Sequence, residues 1–261
     1  VNESSISVQH RADGVAIVTI VRPKQLNALD RDAVTRLAAA LREATAAPAV
    51  RAILLTGAGG NFCSGADLKT EIAERKNLDS DERVGRFHEV IKEIVHTPKP
   101  VVAAIDGAAV SFGADMAFAC DLRVMSTRAY LQEKFSQLGL MPDGGGTFWL
   151  PRLVGSGRAL EYLMLATKID AARARELGLT NRVVEPDQLL DTAMSMAVEL
   201  AAGPPLALAR IKAAVRDSWD GSIDDALARE RKGQVRLLAS EDVAEGVAAW
   251  MQRREPEFSG K

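Results

Sequence analysis

Three glycine-rich stretches hold the residues with chemistry to offer. The first is Gly57-Ala58-Gly59-Gly60-Asn61-Phe62-Cys63-Ser64-Gly65-Ala66-Asp67. The second is Gly107-Ala108-Ala109-Val110-Ser111-Phe112-Gly113-Ala114-Asp115, and the third is Asp143-Gly144-Gly145-Gly146-Thr147. The first two follow apolar runs, and the second and third open helical patterns. Small residues before a helix let the chain turn sharply and let a ligand approach free N–H groups. Tight turns alone account for any single cluster. Two clusters behind strands can aim their N–H groups at one oxygen and so form an oxyanion hole, where losing one donor typically costs about 3–4 kcal/mol of transition-state stabilisation. A dinucleotide loop is the rival reading of the first cluster. It needs a glycine where Phe62 stands and an acidic residue closing a βαβ unit, and the sequence supplies neither.

Such turns need strands that feed them. Val15–Val21 is a β-branched run between Gly14 and Pro23 and reads as a strand. Asp30 reads as the cap of a helix to about Ala46, with Val34, Leu37, Ala38 and Leu41 at helical spacing. Ala52–Leu55, Val101–Ile105 and Leu122–Met125 read as further strands. Residues 66–82 are polar and irregular. Phe87, Val90, Ile91, Ile94 and Val95 mark a helix that stops before Pro98, and Ala114–Ala119 is helical. Beyond Gly144 strands almost vanish, and helical patterns cover about 156–166, 170–177, 186–202, 205–218 and 222–253. The expected organisation is an α/β core over 1–195 and a helical region over 196–261 whose apolar stripes pack on the core or on another subunit.

Composition narrows the function. In a chain of 261 residues with a formal net charge of −2, no global basic field recruits nucleic acid or an acidic membrane. No apolar run approaches the ~20 residues that span a bilayer. Val1–Gln9 lacks a basic start followed by an apolar stretch, so no signal peptide is expected. Cys63 and Cys120 form no Cys-x-x-Cys pair and read as reduced core thiols of a cytoplasmic protein. His10, His88 and His96 are scattered, which argues against a metal site or a His-centred triad.

Asn61-Phe62-Cys63-Ser64-Gly65-Ala66-Asp67-Leu68-Lys69 resembles the first signature of the crotonase (enoyl-CoA hydratase/isomerase) family. Lys99-Pro100-Val101-Val102-Ala103-Ala104-Ile105-Asp106-Gly107, continuing to Cys120-Asp121, resembles the second, and Gly139-Leu140-Met141-Pro142-Asp143-Gly144-Gly145-Gly146-Thr147 the third. Arg22-Pro23 with Asn27-Ala28-Leu29 matches the N-terminal element. The resemblance runs from about residue 6 to 258 and rests on four blocks in order. It implies an α/β crotonase (ClpP-like) spiral of ββα units with a C-terminal helical trimerisation region. It also implies a homotrimer or dimer of trimers, an acyl-CoA substrate, and no cofactor beyond the coenzyme A of that substrate. The amides of Ala66 and Phe112 would hold a thioester enolate, with Phe112 bulkier than the usual residue there. Lys24, Leu26, Ala66 and Leu68 would line the coenzyme A moiety, while Asp67, Phe135 and Phe258 complete the substrate-contacting set.

The reaction turns on carboxylates. Hydration of a 2-enoyl thioester uses one carboxylate to deprotonate water and a second acid to supply the α-proton. Similar hydratases place a glutamate at each of two positions, which here hold Asp115 and Phe135. Dienoyl-CoA isomerases and ring-1,2-epoxyphenylacetyl-CoA isomerases instead carry an aspartate near Asp143. The latter also resemble this chain over Phe135–Asp143. Isomerisation needs one base to move a proton between carbons while the oxyanion hole carries the charge. The expectation is an isomerase with Asp143 as base and Asp115 assisting. The alternatives are a hydratase using Asp115 with an unexpected partner and a non-catalytic acyl-CoA binder. On residue type alone, Asp143 also suits a helix N-cap and Asp115 a hydrogen bond within the first helical turn. Glu133 would share a face with Phe135 in a strand, but reads as a solvated edge charge. Arg152 and Arg158 read as solvated surface cations.

Overall fold

A computed structural model describes residues 5–70 and 79–261. In chain order these residues form β1 (Ile6–His10), β2 (Val15–Ile20), α1 (Arg31–Ala46), β3 (Ala52–Gly57), α2 (Ser80–His96), β4 (Val101–Ile105), β5 (Ala108–Val110), α3 (Phe112–Ala119), β6 (Leu122–Ser126) and β7 (Tyr130–Gln132). There follow α4 (Gly146–Val154), α5 (Ser156–Leu165), β8 (Ile169–Asp170), α6 (Ala171–Glu176), β9 (Arg182–Val184), α7 (Leu189–Ala202), α8 (Pro205–Asp217), α9 (Ile223–Leu237) and α10 (Glu241–Gln252).

The main sheet has the order β1-β2-β3-β4-β6-β9, antiparallel only between β1 and β2. A smaller sheet, β5-β7-β8, stands beside it. Strands β3 and β4 are buried on both faces, which is why they are continuous apolar runs rather than alternating ones. Ile53, Leu55, Val101, Ala103 and Ile105 meet one core with α1, α2 and α3. Ala52, Leu54, Val102 and Ala104 meet a second core under Leu189, Ala193, Met196 and Ala197 of α7. The division expected at 195/196 falls inside α7, which packs on the sheet as one piece.

Caps and buried charges hold the helices in place. Asp30 caps α1 through the Ala33 N–H at 2.9 Å, as expected. Arg123 of β6 is buried and donates to the carbonyls of Ala117, Phe118 and Cys120. That places a cation on the C-terminal carbonyls of α3. Helix α8 is tied to the same region. Lys212 and Arg216 each lie 2.8 Å from the Asp121 carboxylate, and Lys212 also donates to the carbonyls of Ile94 and Lys99.

Several boundaries differ from the sequence reading. Residues 80–82 belong to α2, whose cap is Asp79, rather than to an irregular stretch; 71–78 lie outside the described residues. The helix expected over 222–253 is two, α9 and α10, because Ser240 caps the second through the Val243 N–H. Among the described residues no single helix is long and apolar enough to cross a membrane.

Candidate active site

The first and second glycine clusters run side by side. Cys63 bridges Ala109 in parallel, and the Val110 N–H donates to the Cys63 carbonyl at 2.9 Å. A Cβ at Gly65 would stand 3.0 Å from the Val110 carbonyl oxygen and 3.7 Å from the Phe112 nitrogen. The Gly65-Ala66 segment therefore lies against the start of α3. Neither the Ala66 N–H nor the Phe112 N–H donates a hydrogen bond to another described residue. Ser111 makes this presentation possible. It holds φ 50° and ψ −119°, a conformation that suits glycine, and its own N–H is anchored on the Gln132 carbonyl at 2.8 Å. The Phe112 ring turns into the core, edge-on to Phe87 with centroids 4.7 Å apart. Its bulk fills that space while leaving the amide at the helix N-terminus.

At the other side of the α3 N-terminus stand three carboxyl groups. Asp115 is wholly buried, Glu133 is 2% exposed, and Asp143 is partly exposed. Asp115 Oδ2 accepts the Gly144 N–H at 2.9 Å. A Cβ at Gly144 would stand 2.6 Å from Asp115 Cβ, and one at Gly146 would stand 2.5 Å from Asp115 Oδ1 and 3.1 Å from Glu133 Oε1. Gly144 and Gly146 have no room for a side chain because their backbone lies directly on these two carboxyls, while Gly145 holds φ +98° against the Trp149 ring.

Burial pushes the Asp115 carboxyl up to about 7, aided by the charge of Asp143 and opposed by the Gly144 amide. Burial and then the charge of Asp115 push Glu133 well above the usual carboxylate range. Asp115 Oδ1 and both Glu133 oxygens meet no ordinary donor, and the two carboxyls stand against the same Gly146 backbone, where each shifts the other. Two carboxyls bond to each other only when one carries a proton.

Three readings of these acids change. Asp143 is not an N-cap, because α4 begins after Gly145. The Asp115 side chain reaches outside its own helix, to Gly144. Glu133 is not a solvated edge charge. Strand β7 ends at Gln132, but burial still alternates through Leu131, Glu133 and Phe135. That period of two was the available signal, and the flanking polar Gln132 and exposed Lys134 masked it.

Lys24 and Leu26 form an exposed rim beside Ala66, with the Leu26 carbonyl accepting the Ser64 N–H at 3.1 Å. Leu68 is 45% exposed next to them. Asp67 is held by Arg22 at 3.1 Å, and Arg22 also pairs with Asp30 at 2.7 Å, so this acid fixes the Ala66 segment. Asn27 belongs to the N-terminal motif with Ala28 and Leu29, and its residue type alone does not mark it as buried. It is buried, and its side-chain amide donates to the carbonyls of Ala58 and Asn61, locking the first cluster. Phe135 is buried at the start of a 3-10 turn. Phe258 is not brought to this site within the chain. Its carbonyl accepts from Arg51 ahead of β3 and its ring lies over Gly246 of α10, whereas the glycine turns follow the opposite strand ends. Arg152 packs over the Phe148 ring at 3.8 Å, and Arg158 is exposed.

Cys63 and Cys120 are buried free thiols, pushed by burial up to about 12. Among the described residues no group of three His, Cys, Asp or Glu side chains is arranged to hold a metal ion. An apolar cavity of about 400 Å³, lined by Phe118, Trp149, Leu208 and Ile211, lies at the C-terminal end of α3, away from the carboxyls.

This arrangement places amide donors and carboxyl groups around one helix start. The chain matches the family model for enoyl-CoA hydratase/isomerase over residues 10–261, and it belongs to that family, with the crotonase fold and an enzyme's machinery. It is 35% identical over 257 residues to the 1,2-epoxyphenylacetyl-CoA isomerase of Escherichia coli, covering 97% of this chain and 98% of the relative. It is also 35% identical to the short-chain-enoyl-CoA hydratase of Clostridium acetobutylicum, over 93% of each chain. The crystal structure of an enoyl-CoA hydratase from a Polaromonas species superposes with a TM-score of 0.92 at 34% identity, covering 97% of this chain and 99% of that one.

Proposed function

We propose that this chain is an acyl-CoA isomerase in which the Ala66 and Phe112 amides hold a thioester enolate and Asp143 is the single base that moves the proton. The observation that carries this reading is the difference in access among the three carboxyls. Asp115 and Glu133 are sealed beneath the third glycine turn, and Asp143 has exposed surface. Phe135 fills the position where similar hydratases place a second glutamate. One reachable base beside two amide donors is the minimum that isomerisation needs. The 1,2-epoxyphenylacetyl-CoA isomerase relative supports the choice. The decisive experiment offers the protein a 3-enoyl-CoA and a ring-epoxide thioester and weighs the products. An isomer of unchanged mass is expected; a product heavier by one water would sink the reading.

Hydration is the second reading, and one observation favours it: Glu133 gives Asp115 the carboxyl partner that Phe135 does not. It requires crotonyl-CoA or a longer homologue to yield a 3-hydroxyacyl-CoA, with hydration lost in Asp115→Asn. In either reading the coenzyme A thioester is the only non-protein group required, and Lys24, Leu26 and Leu68 form the rim that meets it. The assembly belongs to the proposal too. Leu227, Val235 and Trp250 on α9 and α10 are exposed by 54%, 62% and 81%, apolar side chains suited to burial against other copies of the chain. Sedimentation at micromolar protein should give a trimer or a multiple of it.

A further inference from the structure

We infer that Glu133 is a positioning residue: protonated, it donates its hydrogen bond to Asp115 Oδ1, and the Asp115 carboxylate so held fixes the third glycine turn and with it Asp143. This rests on the reading of Asp143 as the base. The geometry carries the inference. Asp115 Oδ2 accepts the Gly144 N–H at 2.9 Å, and Asp143 is the residue immediately before that amide. Its other oxygen, Oδ1, lies against Gly146, whose N–H is not aligned for an ordinary hydrogen bond to it, and the two oxygens of Glu133 meet no N–H donor. Two ionised carboxylates sealed side by side would each lack the donors that water gave them and would repel each other in a medium that screens charge poorly. One proton between them removes one charge and satisfies Oδ1 in the same step. The site for that proton is Glu133, because Asp115 has the Gly144 amide to stabilise its charge and Glu133 has no such donor. The pair is enclosed by α3, by the segment after β7 and by the third glycine turn. The charge on these elements that acts on both carboxyls is Asp143, and Lys134 next to Glu133 is exposed to solvent.

The arrangement gives Glu133 a duty that volume alone cannot perform. Glutamine at 133 keeps an N–H donor for Asp115 and removes the titrating proton. Methionine keeps the length and removes the donor. Without that donor the Asp115 charge is poorly held, its bond to Gly144 weakens, and the backbone that carries Asp143 loses its anchor. Misplacing a catalytic group by about 1 Å costs on the order of a hundredfold in rate.

The test pairs spectroscopy with kinetics. Difference infrared spectra in heavy water at about pH 8 should show the C=O stretch of a protonated carboxyl in the wild-type protein, and E133Q should lack it. The turnover number of E133Q should stay within about threefold of wild type, whereas E133M should lose about tenfold to a hundredfold with KM nearly unchanged. Absence of the infrared band in the wild type, or its persistence in E133Q, overturns the inference. So does an E133M enzyme that turns over like wild type, or an E133Q enzyme as impaired as E133M. The infrared measurement needs no substrate, so it stands if E133M does not fold. It also stands if the reaction is hydration, which separates failure of this inference from failure of the isomerase reading.

Discussion

The two sides of the site are opposite in what they lack. Where the first and second glycine clusters meet, the Ala66 and Phe112 amides are donors that no described acceptor satisfies. Where α3 meets the third cluster, Asp115 Oδ1 and the Glu133 oxygens are acceptors that no N–H satisfies. Both sides are built from the same first turn of the same helix, with Phe112 and Asp115 on it. The difference shows how one short helix can serve two needs of enolate chemistry. Negative charge growing on the thioester oxygen wants donors, and a proton leaving carbon wants a carboxylate close by. Glycine serves each side differently. On the donor side it permits two backbone segments to touch, and on the acceptor side it permits backbone to lie on carboxyl groups.

The largest effect is expected on the acceptor side. Asp143→Asn removes the proposed base and leaves the shape, so the turnover number should fall about a thousandfold, the middle of the range for general acid–base groups. The KM for an acyl-CoA should change little, since the rim at Lys24, Leu26 and Leu68 is untouched. Stopped-time product analysis checks this, and a D143N enzyme within about tenfold of wild type would move the base elsewhere, with Asp115 first in line. The donor side should come next. Gly65 sits at φ +97°, and a Cβ there would stand 3.0 Å from the Val110 carbonyl. Gly65→Ala should push the Ala66 segment off the start of α3 and cost roughly a hundredfold in turnover, the scale of one lost oxyanion donor. Undiminished turnover in Gly65→Ala would mean that the two amides do not act on one oxygen.

The donor side was far more legible in the sequence than the acceptor side. Ala66 and Phe112 stand in glycine-rich motifs beside apolar strands, and backbone donors survive almost any side chain. Strands β2, β3, β4 and β6 announced themselves as apolar runs because both faces of the central sheet are covered. Strands β5, β7, β8 and β9 are three residues or fewer, too short to show any period. The acceptor side depends on contacts between distant residues. Glu133 is buried because the third glycine turn lies over it, and nothing near Glu133 in the chain reports that contact. Asn27, likewise, is buried by the loop at Ala58–Asn61, more than thirty residues on.

The carboxyl pair also makes a prediction for stability that the donor side does not. Asp115 is held near 7 in the folded protein against 3.8 as its ordinary value, so the native state binds this proton more tightly than the unfolded chain. A raised carboxyl contributes stability that is complete below the ordinary value and is lost as pH climbs through the folded one. Asp115 alone should therefore make the protein weaken in urea unfolding by about 3 kcal/mol between about pH 5 and pH 8, and the raised Glu133 adds to the same slope. Asp115→Asn should reduce that slope and leave the part that the buried Glu133 proton contributes, even though it costs stability at low pH by weakening the bond to Gly144. An unchanged slope in Asp115→Asn would assign the titration to another buried acid.

The smallest effect sharpens the comparison at the residue that joins the two sides. Ser111 precedes α3 and holds φ 50° and ψ −119°, where a side chain clashes with its own backbone. Such strain costs of order 1–3 kcal/mol, and the anchors that hold it are the bond from the Ser111 N–H to Gln132 and the bonds from Ala114 and Asp115 to the Ser111 carbonyl. Ser111→Gly keeps every one of those backbone bonds and removes the clash. It adds chain entropy to the unfolded state, worth roughly 0.5–1 kcal/mol in the other direction. The net should be a gain of about 1 kcal/mol, read as a higher midpoint in thermal or urea unfolding, with turnover close to wild type. A lower midpoint would mean that the serine side chain supports this conformation instead of straining it, and the Phe112 amide would then owe its presentation to Ser111 rather than to the β5–β7 pairing around it.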